Sequence, residues 1–203
     1  MNKFIVFEGI DGSGKTTQIR LLEKKFNFHN VSYNFFREPG GDLLSEKVRD
    51  ILLDNKIDIT DISETMLFLA ARAQLVSTKI KPALDKNKFV ICDRFVDSTF
   101  AYQGHGKKVD PGIIQVLNRF VTDNLEPYLT ILLDVTYEDS LNRRGKIVDR
   151  MENNSKYFFD RVRSGYKELA NQYSDRYLVL DGMLDVDTLH DLIWSRVSKD
   201  FNL

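Results

Sequence analysis

The chain contains little cysteine and proline, and it has no long apolar run. Its single cysteine, Cys92, cannot form an internal disulfide, which excludes a disulfide-stabilised secreted fold and indicates a reducing compartment. Four prolines and no Ser/Gly-rich stretch give no sign of a linker between domains. No apolar run approaches the roughly 18 residues of a membrane span, and the apolar run Phe4–Phe7 is too short for a signal-peptide core. We therefore expect one cytoplasmic domain over residues 1–203, without membrane contact.

An excess of charge of one sign is also missing. Lys and Arg number 29 against 30 Asp and Glu, so the chain has no overall bias toward a nucleic-acid backbone or an anionic membrane surface. The three histidines, His29, His105 and His190, are scattered without the spacing of metal ligands. We expect no nucleic-acid partner, and any anion-binding site must be local.

Five short apolar runs alternate with segments of helical periodicity. The runs are Phe4–Phe7, Val31–Phe36, Phe89–Cys92, Leu129–Leu133 and Tyr177–Leu180. The helical segments are Gly14–Phe28, Leu43–Leu53, Ile62–Leu84, Ile113–Asn124, Lys156–Tyr173 and Val186–Val197. Strand alternating with helix predicts a three-layer α/β fold, with a five-stranded parallel sheet and helices on both faces. The least structured stretch is expected at Gly104–Gly112, and the basic segment 142–153 is predicted to form a solvent-facing lid.

The segment after the first predicted strand carries a phosphate-binding motif. Residues 9–16 read GIDGSGKT, which satisfies G-x-x-x-x-G-K-[ST] between a strand and a helix and predicts a P-loop NTPase. The glycines let successive N–H groups point at the β-phosphate, and the lysine reaches the β and γ oxygens. The predicted ATP-binding residues are Gly9, Asp11, Gly12, Ser13, Gly14, Lys15, Thr16 and Thr17.

A second nucleotide-related pattern, Asn55-Lys56-Ile57-Asp58, matches the guanine-reading motif of small GTPases. In GTPases that motif ends a buried strand, whereas here it follows a predicted helix end. The Asp-x-x-Gly spacing that a GTPase also requires is found only inside the phosphate loop, at Asp11 and Gly14. We interpret the match as accidental.

Five segments in one consistent order resemble the thymidylate kinase family of nucleoside-monophosphate kinases. They are FEGIDGSGKTTQ at 7–18, REPGG at 37–41, FLAAR at 68–72, DRF at 93–95 and STFAYQ at 98–103. The resemblance implies a phosphotransferase that moves the γ-phosphoryl group of ATP to dTMP in dTTP biosynthesis. It also implies Mg²⁺ as cofactor and a homodimer formed through a long helix.

The resemblance assigns the base and sugar of the acceptor nucleotide to four residues. Phe68 and Arg72 lie four apart on one helix face, where a ring can stack on thymine while the guanidinium bonds its carbonyl. Thr99 matches the position that hydrogen-bonds the base edge, and Tyr102 the position whose ring crowds the sugar 2′ carbon. Without the other segments, Phe68 could equally be a core residue and Arg72 a solvated one.

The acceptor phosphate is assigned to two arginines. Arg37 and Arg94 follow the second and third predicted strands, so both fall at the carboxyl edge of the sheet, where ligands of such folds bind. Two forked cations suit a phosphate dianion, although Asp93 and Arg94 could instead form an ordinary salt bridge. The implied dTMP-binding residues are Asp11, Arg37, Phe68, Arg72, Arg94, Ser98, Thr99, Tyr102 and Gln103.

Catalysis of phosphoryl transfer depends on alignment and on cations near the moving group. The phosphate loop has no arginine, and in the corresponding subgroup of the family the lid supplies one. Arg144 matches best, with Arg143 and Arg150 as neighbours that contact adenine or phosphate. The implied catalytic residues are Lys15, Asp93, Arg94 and Arg144, with Arg143 at the ATP site and Mg²⁺ held by Thr16 and Asp93, directly or through water. Phe95 stands where the family usually has tyrosine or histidine, and it receives no catalytic role.

Two alternatives stay open. One is a P-loop kinase for another acceptor, such as uridylate or a deoxynucleoside, which the combination of Phe68, Arg72 and Tyr102 disfavours. The other is a nucleotide-binding regulator without turnover, which is weakened by the presence together of Lys15, Thr16, Asp93, Arg94 and the lid arginines.

Overall fold

A computed structural model of the chain describes residues 2–143, 150–151 and 154–203. These residues form one sheet of five strands, β1 (Phe4–Glu8), β2 (Tyr33–Arg37), β3 (Phe89–Asp93), β4 (Leu129–Asp134) and β5 (Tyr177–Asp181). The spatial order is β2-β3-β1-β4-β5, and every neighbouring pair is parallel. The predicted five-stranded parallel sheet is confirmed.

Nine α-helices are found in the described part of the chain. They are α1 (Lys15–Phe28), α2 (Leu43–Leu53), α3 (Asp61–Leu75), α4 (Lys81–Asp85), α5 (Val96–Thr99), α6 (Pro111–Thr122), α7 (Tyr137–Arg143), α8 (Lys156–Gln172) and α9 (Val186–Phe201). Several begin at a capping side chain: Asp42, Ser155 and Asp185 each accept a hydrogen bond from the backbone N–H three residues later. Among the described residues, no helix is both long and apolar enough to cross a membrane.

The central strand β1 explains the three layers. All five of its residues are buried. Ile5 and Phe7 pack into a core with α1 and α9, while Phe4 and Val6 pack into a second core with α3 and α4. Because successive side chains of a strand point to opposite faces, the four consecutive apolar residues of β1 require cover on both sides.

Two predicted segments differ in the structure. The helix predicted at Ile62–Leu84 is not uniform, since a π-helical segment, Val76–Ile80, separates α3 from α4. The stretch Gly104–Gly112 is not the least structured one: a second π-helical segment, Phe100–Gly106, includes its first residues, and α6 begins at Pro111. A Cβ on Gly106 would lie 2.5 Å from the ring of Phe158 on α8, so this glycine permits close packing.

The predicted lid is described only in part. Asn142 and Arg143 are the last residues of α7, a helix that the sequence pattern did not predict. Residues 144–149 and 152–153, and with them Arg144, lie outside the described residues.

Candidate active site

The phosphate loop joins β1 to α1 through a backbone that glycine makes possible. Gly9, Gly12 and Gly14 have φ of 136°, 79° and 100°. A Cβ on Gly9 would lie 2.6 Å from the carbonyl oxygen of Leu133, so the loop packs directly against β4. Ser13 Oγ is buried and has no hydrogen-bond partner among the described residues, which leaves it available to a ligand.

Lys15 folds back over this loop. Its Nζ donates to the carbonyl oxygens of Gly9, at 2.9 Å, and Ile10, at 3.2 Å. Burial lowers the pKa of Lys15, and the nearby positive charge of Arg94 lowers that pKa further. The ammonium group lies beside the phosphate loop at the start of α1. There, phosphate oxygens could replace the two carbonyl oxygens as hydrogen-bond acceptors of Nζ.

An open cleft of about 1050 Å³ lies above the loop. It brings together most of the predicted ATP-binding residues, namely Asp11, Gly12, Gly14, Lys15, Thr16, Thr17 and Arg143. The rest of its lining consists of Arg37, Glu38, Arg49, Asp93 and Arg94. We call this space the phosphate cleft.

Asp93 and Thr16 offer oxygen atoms to the phosphate cleft. Asp93 Oδ1 is buried and, within the described part of the chain, has no hydrogen-bond partner. Thr16 is exposed in the first turn of α1. Carboxylate and hydroxyl oxygens are ligands that Mg²⁺ accepts beside phosphate groups, so the two predicted residues fit this ion.

A narrower cavity of about 560 Å³ opens beside the phosphate cleft, and we call it the acceptor cavity. Its lining includes eight of the nine predicted dTMP-binding residues, all except Arg37: Asp11, Phe68, Arg72, Arg94, Ser98, Thr99, Tyr102 and Gln103. The two spaces share Asp11, Glu38, Arg49 and Arg94. A ligand in one can therefore meet a ligand in the other at these four residues.

Arg94 lies at this junction in an uncommon backbone conformation. It follows β3 with φ of 72°, a left-handed value that residues other than glycine rarely adopt. Its Nη2 donates to Asp11 Oδ1 at 2.8 Å and to the hydroxyl of Tyr102 at 3.3 Å. The side chain is mostly buried, and Arg94 lines both the phosphate cleft and the acceptor cavity.

Two further arginines lie among or beside the four residues that the two spaces share, and they differ in which of the two spaces they line. Arg37 lines the phosphate cleft alone, and it forms an exposed ion pair with Glu46 at 3.1 Å. Arg49 on α2 lines both spaces and donates to the carbonyl oxygen of Pro39 at 3.1 Å. The sequence reasoning missed Arg49. Its helical spacing was an available signal, because Arg49 follows Glu46 by three residues and shares its helix face.

Arg72 is almost fully enclosed below the acceptor cavity. Nε donates to Glu38 Oε2 at 2.8 Å, and Nη1 donates to Thr99 Oγ1 and to Asn118 Oδ1, both at 2.7 Å. Nη2 donates to the carbonyl oxygen of Phe95 at 2.9 Å. Each nitrogen of Arg72 thus has a protein partner, so the predicted bond to a base carbonyl would have to share one of these donors. Glu38 and Asn118 had no predicted role.

The remaining acceptor residues are also held by hydrogen bonds. Because Thr99 Oγ1 accepts from Arg72, its own proton remains available to donate into the cavity. Gln103 Nε2 donates to Glu64 Oε1 at 3.0 Å. Ser98 Oγ donates to Glu8 Oε2 at 2.7 Å, so it contacts a buried carboxylate that the sequence reasoning left without a role.

The two described lid arginines point to different places. Arg143 Nη1 donates to the carbonyl oxygen of Gly182 at 2.8 Å, just after β5. Arg150 forms an ion pair of 2.6 Å with Glu64 on α3, and its Nε donates to the carbonyl oxygen of Leu52 at 2.8 Å. Arg143 therefore lies on the phosphate side, and Arg150 is directed toward the helices around the acceptor cavity.

Known proteins resemble this chain over nearly its whole length. A sequence model of the family described as thymidylate kinase matches residues 7–193. The thymidylate kinase of Caldanaerobacter subterraneus subsp. tengcongensis is 41% identical over 198 residues, covering 97% of this chain and 95% of that protein. The thymidylate kinase of Kosmotoga olearia is 43% identical over 202 residues, covering 98% and 95%. The crystal structure of thymidylate kinase from Ehrlichia chaffeensis superposes with a TM-score of 0.79 at 37% identity, covering 96% of this chain and 97% of that one.

Proposed function

Because the chain belongs to the thymidylate kinase family, and is therefore a phosphotransferase, we propose that it transfers the γ-phosphoryl group of ATP to dTMP. The products are dTDP and ADP, and the reaction serves dTTP biosynthesis. The observation that carries the proposal is the junction of the phosphate cleft with the acceptor cavity at Asp11, Glu38, Arg49 and Arg94. An attacking phosphate and a transferred one can be aligned there, which is the main requirement of this chemistry.

The triphosphate of ATP binds along the phosphate loop. The α1 amino terminus, Ser13 Oγ and Lys15 Nζ supply hydrogen bonds to its oxygens, and Lys15 exchanges the carbonyl oxygens of Gly9 and Ile10 for them. Arg143 supports the nucleotide end of the cleft through its bond to Gly182.

The proposed reaction uses Mg²⁺ as its cofactor. Thr16 and Asp93 would hold it, directly or through water, and the buried Oδ1 of Asp93 supports that role. When bound, the ion neutralises charge on the phosphate oxygens.

The acceptor phosphate binds between the arginines of the junction. Arg94 and Arg49 reach it from two elements, and Arg37 adds a cation from the cleft side. Asp11, which pairs with Arg94 in the structure, takes the 3′-hydroxyl of the acceptor sugar.

The base binds at the far end of the acceptor cavity. Phe68 stacks on thymine, and the hydroxyl of Thr99 donates to a base carbonyl. Cytidylate has an amino group at that carbonyl position. Two donors, the amino group and the Thr99 hydroxyl, would then face each other, so the site favours thymine over cytosine. The Tyr102 ring limits space near the sugar 2′ carbon.

A homodimer is supported by an apolar face on neighbouring helices. Ile113, Val116 and Phe120 on α6 are exposed at helical spacing, and α6 packs against α3, where Ile62 and Met66 are also exposed. Two copies could bury these faces through a symmetric contact.

A coupled assay of ADP release tests the proposed reaction. The chain is incubated with ATP, Mg²⁺ and one acceptor at a time, chosen from dTMP, dUMP, UMP, CMP and thymidine. We expect dTMP to give the highest kcat/KM. ATP binding without ADP release on addition of dTMP would favour the regulator instead, and a preference for UMP or thymidine would favour a kinase for that acceptor.

The lid arginine is tested by substitution. Arg144→Ala is expected to lower kcat by orders of magnitude with little change in thymidylate affinity, because the guanidinium acts on charge that develops during transfer. Unchanged turnover would move this role to Arg143 or Arg150.

A further inference from the structure

Glu8 is the last residue of β1 and directly precedes the phosphate loop. Its side chain is fully buried, although it carries an ionisable carboxyl group. Its Oε1 accepts from the backbone N–H groups of Phe95, at 2.8 Å, and Ser98, at 3.2 Å. Its Oε2 accepts from Ser98 Oγ at 2.7 Å and from the hydroxyl of Tyr166 at 2.8 Å. Four donors from two separate segments thus converge on one carboxylate.

The two hydroxyls connect Glu8 to Arg94. A hydroxyl group has a single proton to donate, and both Ser98 Oγ and the Tyr166 hydroxyl lie within hydrogen-bond distance of Glu8 Oε2. The two hydroxyl oxygens also lie 2.9 Å apart, so one of the protons can be shared between them. Their oxygen lone pairs are then presented to Arg94 Nη1, which lies 3.3 Å from each. The carboxylate therefore favours the orientation in which both hydroxyls act as acceptors for Arg94.

The backbone of Arg94 is tied to the same strand. Its N–H donates to the carbonyl oxygen of Phe7 at 2.9 Å, and the next N–H, that of Phe95, donates to Glu8. The last two residues of β1 thus hold the turn in which Arg94 adopts its left-handed φ of 72°. Without such bonds this conformation is unfavourable for a residue with a side chain.

We propose that Glu8 is a positioning residue, which acts through Ser98, Tyr166 and the turn at Arg94 to aim the Arg94 guanidinium at the acceptor phosphate. The inference rests on the proposed reaction and adds a residue that does not touch either nucleotide. It predicts that the charge of Glu8, and not only its size, is required.

The surroundings of Glu8 place its proton equilibrium near neutrality. Burial, and after it the charge of Asp97, raise the pKa of Glu8 to about 7, against the opposing effects of Arg94 and of the hydrogen bonds from Ser98 and Phe95. The other titratable groups that interact with it from neighbouring elements are Lys15, Cys92, Tyr102, Tyr166 and Tyr177. A protonated Glu8 would carry a donor where Ser98 or Tyr166 needs an acceptor.

The first test is Glu8→Gln, which keeps the size of the side chain and replaces one oxygen with an N–H donor. We expect the KM for dTMP to rise about fivefold or more and kcat to fall about tenfold, with the KM for ATP within about twofold of wild type. General damage to the fold would lower the active fraction without this selective change in KM. Unchanged kcat and unchanged KM for dTMP would overturn the proposal.

Asp97→Asn is the matched control. Asp97 is also a buried carboxylate, but it holds Arg176 and Tyr177 instead of the Arg94 turn. We expect its KM for dTMP to stay near the wild-type value. An equal rise in both variants would assign the effect to the loss of any buried charge, and the proposal would fail.

A pH profile separates positioning from packing. In the wild-type enzyme, kcat/KM for dTMP should fall as the pH drops through about 7, in addition to the step near about 6 from the phosphate of dTMP itself. Glu8→Gln should lose the upper step and keep the lower one. Persistence of both steps in the variant would contradict the role of Glu8.

Single substitutions of the two hydroxyl residues keep the test decisive if Glu8→Gln folds poorly. Tyr166→Phe and Ser98→Ala each remove one hydroxyl oxygen that accepts a hydrogen bond from Arg94, and either should raise the KM for dTMP. An unchanged KM for dTMP in both variants would overturn the proposal. Where Glu8→Gln does fold, adding Tyr166→Phe should cause little further change, and additive effects would contradict a shared pathway. A wild-type chain that does not phosphorylate dTMP would instead refute the proposed function.

Discussion

Arg72 and Glu38 form a buried ion pair below the acceptor cavity, with side-chain exposures of 2% and 5%. A second ion pair, between Arg37 and Glu46, has exposures of 45% and 44%. The two pairs contain the same residue types in opposite environments. Their contributions to stability should therefore differ strongly, because desolvation makes the loss of one buried partner costly.

Arg72→Ala should lower the free energy of unfolding by about 3–5 kcal/mol, since Glu38 is left as a buried charge without its cation. The control Arg37→Ala should lower that free energy by less than about 1 kcal/mol. Urea unfolding followed by circular dichroism measures both values. Equal losses would mean that the Arg72 pair is not a structural element of the cavity floor.

Glu8 makes stability depend on pH in a defined direction. Its folded-state pKa of about 7 lies above the ordinary value of 4.5, so the folded chain holds this proton more tightly than the unfolded chain. The resulting stabilisation is complete below pH 4.5 and is lost as the pH rises through about 7, an effect on the order of a few kcal/mol.

The comparison of wild type with Glu8→Gln isolates this contribution. Between pH 4.5 and 8, the unfolding free energy of wild type should decrease relative to that of the variant, because the variant has no proton to lose at this position. Chemical unfolding at several pH values provides the measurement. Parallel curves for the two proteins would show that Glu8 does not change its charge in this range.

At the scale of elements, the phosphate loop depends on contact with the neighbouring strand β4. Gly9 combines a φ of 136° with a carbonyl oxygen of Leu133 only 2.6 Å from where a Cβ would lie. Gly104 in the π-helical segment is also buried, but its nearest neighbour would be a side-chain carbon of Ile114 at 3.4 Å. The two glycines provide a direct comparison between backbone and side-chain obstruction.

Gly9→Ala should weaken ATP binding by at least about tenfold, because the loop must shift away from β4 to accommodate the methyl group. Gly104→Ala should leave ATP affinity within about twofold, since a flexible side chain can move by a few tenths of an ångström. Isothermal titration calorimetry with ATP and Mg²⁺ tests both. Wild-type affinity in Gly9→Ala would show that the loop tolerates another conformation.

At the scale of the whole molecule, α2, α3 and α6 form one contiguous side. Phe120 on α6 is 80% exposed and has Val116 and Ile113 beside it on the same helix face. Phe28 on α1 is 81% exposed, but α1 packs against α9. The two phenylalanines are therefore equally exposed. They differ in that Phe120 has exposed apolar neighbours on its own helix face.

Phe120→Glu should convert the proposed dimer into a monomer, because a charge would be buried in the centre of the contact. Phe28→Glu should leave the dimer intact. Sedimentation velocity at several concentrations measures both variants. A wild-type monomer, or a dimer that persists in Phe120→Glu, would exclude this face as the interface.

The sequence by itself determined the order of the strands along the chain, the phosphate loop and the α/β class. These features depend on local patterns, such as the apolar run before Glu8 and the glycines at 9, 12 and 14, which act within a few residues. The resemblance also predicted roles at the acceptor site for Arg37, Arg72 and Arg94, and these roles stay predictions. The prediction that Gly104–Gly112 is the least structured stretch was wrong. The first part of that stretch is held in a regular conformation by packing against α8, which follows much later in the chain.

Only the tertiary structure decided what those arginines contact and which residues support them. Arg72 pairs with Glu38 and Asn118, which come from other elements, and Glu8 receives a hydrogen bond from Tyr166, 158 residues away along the chain. No local pattern encodes such a pairing, because hydrogen-bond geometry and desolvation depend on what the packed elements bring together.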